Sequence, residues 1–213
     1  MLVKDWMTEN PRAVSSRTRI IEAMQILRKE AYRRLPVVDE GRLVGIVTDK
    51  DLREASPPNA TSLSIYELNY LVSKLRVDDV MHKALYTITP DTPVEEAALL
   101  MEEKKVSGLP VVVDASVDDG ELCGIFTITD MLRAFVTVLG LREGGTRVSV
   151  YMPDEPGLLA QVAGAAAPSN IVAVTTAGVH EGKRKMVLRV VGEGAENYPE
   201  RLADKNIEVV DVH

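Results

Sequence analysis

Thr48 and Asp51 stand three residues apart, and Thr127 with Asp130 repeats that spacing. Each pair falls where an apolar, β-branched run (LVGIVT, LCGIFT) gives way to a helix-forming stretch, so hydroxyl and carboxylate meet at a strand-to-helix junction. An ionised carboxylate is acceptor-only and has two oxygens, so it can take hydrogen bonds from two vicinal hydroxyls at once. A hydroxyl beside the free amides of a helix start can meet a phosphate. Thr and Asp are equally at home as plain helix caps, and both readings stay open at this level. Arg33 and Arg34 precede the run LPVV. They read either as a solvated charge pair or as cations for an anion held beside that strand.

Other chemistries find less support. There is no Ser–His–Asp signature, no GxxxxGK phosphate loop and no GxGxxG, so an enzyme is not expected and no catalytic cofactor is implied. His82, His180 and His213 are scattered without metal-ligand spacing and read as surface or packing residues, so no metal site is expected. The single cysteine, Cys123, lies in an apolar run and reads as a small buried hydrophobe; a chain with no internal disulfide suits a reducing cytoplasm. A net charge of −7 argues against a nucleic-acid-binding face. No apolar stretch reaches the ~18 residues of a membrane span, and MLVKDWMTEN lacks the apolar region of a signal peptide.

An internal repeat organises the first two thirds of the chain. A shift of 74 residues superposes Asp5/Asp79, Met7/Met81, Thr18/Thr92, Glu22/Glu96, Ala23/Ala97 and Leu35-Pro36-Val37-Val38 with Leu109-Pro110-Val111-Val112. The shift then grows to 79 and pairs Gly41/Gly120, Leu43/Leu122, Gly45/Gly124, Ile46/Ile125, Thr48/Thr127 and Asp51/Asp130, which places an insertion in the polar stretch VDASVDDGEL. Each copy reads as strand, helix, strand, strand, helix. The helices start near Thr18 and Thr92; for the second, Thr92 as N-cap, Pro93 at the first helical position and Glu95 make a capping box. Turns are expected at Asp39–Gly41 and Asp118–Gly120. Between the copies, Ser64 with Glu67, then Ile65, Leu68, Val72 and Leu75 at helical spacing, predict a linker helix.

From Arg147 the pattern changes. Alternating Val148, Val150 and Met152 predict a strand; DEPGLLAQVAGAAA a turn into a helix; IVAVTTAGV and KMVLRVV two strands about a turn at His180–Gly182; ENYPERLADKN a helix; and IEVVDV a final strand. The order βαββαβ is ferredoxin-like. LREGGT supplies a linker.

The repeated unit resembles the CBS domain. The carrying residues are the LPVV strand, GIVTDKD (45–51) and GIFTITD (124–130), each fitting Gly-h-h-Thr-x-x-Asp, with DWMT and DVMH at the unit starts. The C-terminal part resembles an ACT domain through DEPGLL (154–159) and Asn170-Ile171, with Pro168-Ser169 in place of the usual glycine-containing turn. This order, with the helical insertion after EASP, is similar to AcuB-type acetoin-utilisation proteins. The fold class expected is α+β: a CBS-domain pair, a Bateman module of βαββα repeats, followed by a ferredoxin-like βαββαβ ACT domain. The expected domains are residues 1–60 (first CBS domain), 61–78 (linker helix), 79–140 (second CBS domain), 141–146 (linker) and 147–213 (ACT domain).

The resemblance implies two shared adenine-nucleotide sites, with the aspartates on ribose hydroxyls. The first would join Arg33, Arg34, Thr48, Lys50 and Asp51 to Met81, Leu85, Tyr86 and Val106; the second would join Ser107, Thr127, Thr129 and Asp130 to Met7, Pro11, Arg12 and Tyr32. Arg12 stands where the family usually has an apolar residue. For the ACT segment the resemblance implies an amino-acid site at Asp154, Gly157, Leu158, Asn170 and Ile171, or a role in dimerisation alone. The expectation is a non-catalytic cytoplasmic regulator and homodimer, linked to acetoin or acetate metabolism. It would sense AMP, ADP or ATP, contact neither nucleic acid nor membrane, and act on an unidentified partner protein. The alternative is a constitutive scaffold or enzyme accessory subunit.

Overall fold

The computed structural model describes residues 1–55, 74–114 and 120–213. They form two compact units, Met1–Met131 and Leu132–His213.

Each copy of the repeat builds a helix, a hairpin and a second helix, all within the first unit except the last helix, which begins there and ends beyond Met131. The first copy has α1 (Ile20–Lys29), β2 (Arg34–Asp39), β3 (Arg42–Thr48) and α2 (Asp49–Glu54); the second has α3 (Val94–Lys104), β4 (Gly108–Val112), β5 (Leu122–Thr127) and α4 (Ile128–Val138). Helix α1 buries Ile20, Ala23 and Leu27, and α3 buries Val94, Ala97 and Met101, the same one-sided spacing in both. The β2–β3 turn is two residues, Glu40 at φ 52° and Gly41 at φ 81°, the left-handed pair that matches strand twist. Both hairpins are antiparallel, and each breaks register at the same place, Val37/Val38 and Val111/Val112.

The first strand of each copy is short and pairs across the duplication, not within its own copy. β1 (Thr8–Glu9) adds to β5, with Thr8 opposite Ile125. At the equivalent place in the other copy, His82 bridges Ile46. The exchange is reciprocal upstream too. The Val3 amide donates to Thr92 O and the Val77 amide to Thr18 O, both at 2.9 Å; the Val94 amide donates to Met1 O and the Ile20 amide to Leu75 O, both at 3.1 Å. This overturns the expected capping box at Thr92. Helix α3 begins at Val94 after Pro93, with no side-chain cap. Thr92 Oγ1 instead accepts the Thr89 amide at 3.0 Å. A backbone carbonyl from the exchanged segment reaches the helix's first free amide, so no hydroxyl is needed there. The predicted linker helix over 61–78 and the turn at Asp118–Gly120 lie mostly outside the described residues; within them, Val77–Asp79 is a 3₁₀ turn.

The second unit runs β6 (Thr146–Pro153), α5 (Leu158–Gly164), β7 (Asn170–His180), β8 (Lys183–Val191), α6 (Tyr198–Ala203) and β9 (Glu208–Val212). Its antiparallel sheet has the order β7-β8-β6-β9, the predicted ferredoxin-like arrangement. Val148, Val150, Met186, Leu188 and Val190 on the sheet meet Val162, Tyr198 and Leu202 from the helices in one core. Helix α5 starts at Leu158, two residues after Pro156, because Gly157 takes φ 91° ahead of it. The Tyr198 hydroxyl, buried in that core, donates to Val162 O at 2.9 Å.

Candidate functional site

In the first unit a cleft of about 400 Å³ is lined by Arg34, Ile46, Thr48, His82, Ala84, Leu85, Tyr86 and the run Lys105–Pro110. Its walls follow from the exchange. Arg34 opens β2 and lies opposite Thr48 at the end of β3. Ile46 and Thr48, two apart, share a face of that strand. The Ile46 and His82 backbones bond each other at 3.0 and 2.9 Å, which brings residues 82–86 of the second copy beside the first copy's hairpin. Lys105–Pro110 arrive from the end of α3 and the start of β4.

Thr48 and Asp51 cap α2 reciprocally. The Thr48 amide and hydroxyl donate to Asp51 Oδ2 at 2.8 and 2.7 Å, and the Asp51 amide donates to Thr48 Oγ1 at 3.3 Å. The other carboxylate oxygen, Oδ1, faces the second copy, where His82 Nε2 donates to it at 3.1 Å. Burial pushes the Asp51 carboxyl up, but the Thr48 hydroxyl and amide and then His82 outweigh it and hold the carboxyl below the usual carboxylate range. Asp51 therefore backs the wall made by Thr48 and His82 and is not itself a lining residue.

Arg34 Nη2 donates to Ser107 Oγ at 2.6 Å. Its guanidinium lies against Gly108, where any added Cβ would collide with Arg34 Nη1. Burial, then the neighbouring Arg33 charge, lowers the Arg34 guanidinium from its ordinary value.

A family model for the CBS domain matches residues 3–57 and 77–137. The chain belongs to the CBS-domain family. Residues 144–213 match the TTHA0829-like ACT domain. The CBS pair is 33% identical to CBSX2 in complex with AMP (TM-score 0.52, 64% of this chain and 97% of that one). It is also 33% identical to the CBS domain pair of protein MJ0100 in complex with 5′-methylthioadenosine and S-adenosyl-L-methionine, with the same TM-score of 0.52 and the same coverage, 64% and 97%. A structure described as an acetoin utilization protein (AcuB) from Vibrio cholerae is 27% identical (TM-score 0.54, 67% of this chain and 96% of that one). An L-aspartate semialdehyde sulfurtransferase of Methanocaldococcus jannaschii is 34% identical over 135 residues, which is 63% of this chain but only 23% of that protein.

Of the residues predicted for the first CBS site, the cleft brings together Arg34, Thr48, Leu85, Tyr86 and Val106, with Asp51 behind them. The Met81 sulfur occupies the space over Gly45 and packs on the first copy's core. Arg33 and Lys50 are not lining residues. Arg33 precedes Arg34 and is exposed, and Lys50 pairs with Glu54 at 3.6 Å on the outer face of α2. Sequence reading missed Ile46, His82, Ala84, Lys105 and the run Gly108–Pro110, and gave Ser107 to the other site. Period-two alternation from Thr48 could have found Ile46; His82 depends on a bridge formed only after the segments exchange.

Among the second-site residues, Thr127 and Asp130 repeat the first junction, with the Thr127 amide and hydroxyl donating to Asp130 Oδ2 at 2.9 and 2.7 Å. Asp130 is more deeply buried, at 3% exposure. Met7 fills the space over Gly124 as Met81 does over Gly45. Pro11 is half-buried, Arg12, Thr129 and Tyr32 are exposed, and Ser107 turns to Arg34 in the first cleft.

In the ACT domain, Arg184 Nε and Nη2 grip the Asp154 carboxylate at 2.7 and 2.6 Å and hold its pKa down. Leu158 and Ile171 pack on the core, Gly157 faces open space, and Asn170 starts β7 opposite Val191. None of them lines the hollow on the face of the sheet. That hollow, of about 230 Å³, lies between Leu139, Leu141, Arg147, Ala173, Thr175, Val187, Leu188 and Arg189. Its cations are engaged: Arg147 pairs with Asp211 at 2.6 Å, and Arg189 donates to the Leu139 and Gly144 carbonyls at 3.3 and 3.0 Å. Among the described residues no helix is long and apolar enough to cross a membrane, and no cluster of His, Cys, Asp or Glu could hold a metal.

Proposed function

We propose that this protein is a non-catalytic regulator whose CBS pair binds an adenosine ligand in the cleft between the repeats. The observation that carries this reading is the composite wall, in which the Thr48–Asp51 junction of one copy is joined by His82–Tyr86 and Lys105–Pro110 of the other. Apolar surface from Ile46, Leu85, Val106 and Pro110 suits a purine. Asp51 Oδ1, now held by a histidine, is the acceptor that ribose hydroxyls would take over. Relatives of this pair in complex with AMP and with S-adenosyl-L-methionine support the ligand class. Ligand affinity that differs between two arrangements of a cytoplasmic homodimer would present the signal to a partner protein. Likeness to the AcuB structure supports a setting in acetoin or acetate metabolism.

Titration calorimetry with AMP tests the reading. Asp51→Ala loses charge-assisted hydrogen bonds of roughly 1.5–3 kcal/mol, a tenfold to hundredfold weakening. Unchanged affinity removes Asp51 from the site. A second reading, a constitutive scaffold, draws on the engagement of both Asp51 oxygens within the fold. A ligand at 100 times its Kd adds about 2.7 kcal/mol of stability, so a melting temperature unmoved by AMP, ADP, ATP and S-adenosylmethionine selects the scaffold. For the ACT domain, stabilisation by one member of an amino-acid panel supports sensing; none leaves assembly.

A further inference from the structure

We propose that the cleft selects its ligand by charge: Arg34, seated on Gly108 and joined by Lys105, favours a 5′-phosphorylated adenosine over an uncharged thioether or a cationic sulfonium nucleoside. The proposal rests on the adenosine reading above and assigns the end of the ligand that the cleft recognises.

Three cleft-lining side chains can carry positive charge, Arg34, His82 and Lys105, and no lining residue is a carboxylate. In a chain of net charge −7 this is a local reversal of sign. The carboxylate that backs the wall, Asp51, is matched by His82 and the Thr48 cap. Among the described residues neither Arg34 nor Lys105 has a carboxylate partner. A guanidinium carries five N–H donors in a fixed fork, and Ser107 takes one of them, at 2.6 Å. The remaining donors sit half-buried, and both burial and the Arg33 charge work against the cation. A phosphomonoester, with a charge of about −1.5 to −2 near neutral pH, would relieve both penalties and accept from the fork. A sulfonium would add a like charge beside them.

Gly108 is part of the device. Arg34 and Gly108 are each other's counterparts under the 74-residue shift. One copy supplies the guanidinium and the other supplies the missing side chain that lets it lie flat. The second copy does not repeat the arrangement: the counterparts of Lys105 and His82 are Ala31 and Thr8, and its own cation, Arg12, stands at the place of Tyr86. The guanidinium seated on a glycine therefore belongs to the cleft at Thr48.

Calorimetric titration of the full chain with AMP, 5′-methylthioadenosine and S-adenosylmethionine tests this, using the native protein, Arg34→Ala, Arg34→Lys and Gly108→Ala. The native protein is expected to bind AMP at least about tenfold more tightly than 5′-methylthioadenosine. Arg34→Ala should remove that preference, weakening AMP by about tenfold to a hundredfold while 5′-methylthioadenosine changes little. Arg34→Lys keeps the charge without the fork and should retain part of it. Gly108→Ala unseats the guanidinium and should follow Arg34→Ala in the ratio of the two affinities, a readout that general destabilisation would not move. Equal or tighter native binding of 5′-methylthioadenosine overturns charge selection and leaves the adenosine reading standing. A native preference for AMP that survives Arg34→Ala overturns the role of Arg34. Binding of none of the three ligands overturns the adenosine reading and this proposal together.

Discussion

Asp51 takes two hydrogen bonds from its own junction on Oδ2, and a third arrives on Oδ1 from His82 in the other copy. The cap is thus carried by Oδ2, and Oδ1 is the oxygen that the proposed ligand would engage. Because the folded carboxyl is held below its ordinary range, it contributes stability that is complete above the unfolded value near 3.9 and is lost as pH falls through the folded value. Asp51→Asn should lower the urea midpoint at pH 7 by the equivalent of about 1 kcal/mol, because charge-assisted hydrogen bonds become neutral ones. The gap from the native chain should close as the pH is taken towards 3; a gap independent of pH would assign the loss to shape and not to charge. The Tyr198 phenol behaves in the opposite sense. Burial pushes it up to about 12, so the stability tied to its neutral form is present below about pH 10 and is lost above it. Tyr198→Phe should be less stable at pH 7 by roughly 1 kcal/mol but should lose less on going from pH 9 to 11, as followed by thermal melts.

At the scale of elements, recurrent helix spacing and turn chemistry made α1, α3 and the hairpins legible, because those signals are local. Thr92 was misread for the opposite reason: the carbonyl that serves α3 comes from Met1, more than ninety residues upstream. In the ACT domain, α6 ties the α5–β7 connection through one side chain. Arg201 donates to the Ala165, Ala166 and Gly194 carbonyls at 2.8, 3.0 and 2.9 Å and to Ser169 Oγ at 3.1 Å. Arg201→Met would strand several partly buried acceptors and should cost about 1–3 kcal/mol. Unchanged thermal stability would show that water replaces the guanidinium without loss.

At the scale of the molecule, duplication followed by exchange makes the first unit cooperative, since the opening segment of each copy completes the other. Removal of residues 1–9 would withdraw β1 from β5, the Met1 carbonyl from Val94, and the fully buried Val3. Burial of a valine is worth roughly 1.5–3 kcal/mol, so the truncated chain should melt earlier. Hydrogen exchange should quicken at the Val94 amide and spare the Ile20 amide, whose acceptor is Leu75. Equal protection at both sites would mean that the copies do not depend on the exchanged segments in this way.

Periodicity, turn residues and the 74-residue repeat were enough to establish a duplicated unit, a ferredoxin-like C-terminal domain and the two threonine–aspartate junctions, because each depends on residues close in sequence. Five of the nine residues that the CBS resemblance implied for the first site, Arg34, Thr48, Leu85, Tyr86 and Val106, line the cleft. Tertiary structure alone decided that Arg34 crosses to Gly108 and Ser107, that Lys105 and His82 take the places expected for Arg33 and Lys50, and that Arg184 claims Asp154. Side chains tens of residues apart meet only when the backbone exchange sets their register, and which cation faces a cleft depends on strand and helix faces that a one-residue step reverses.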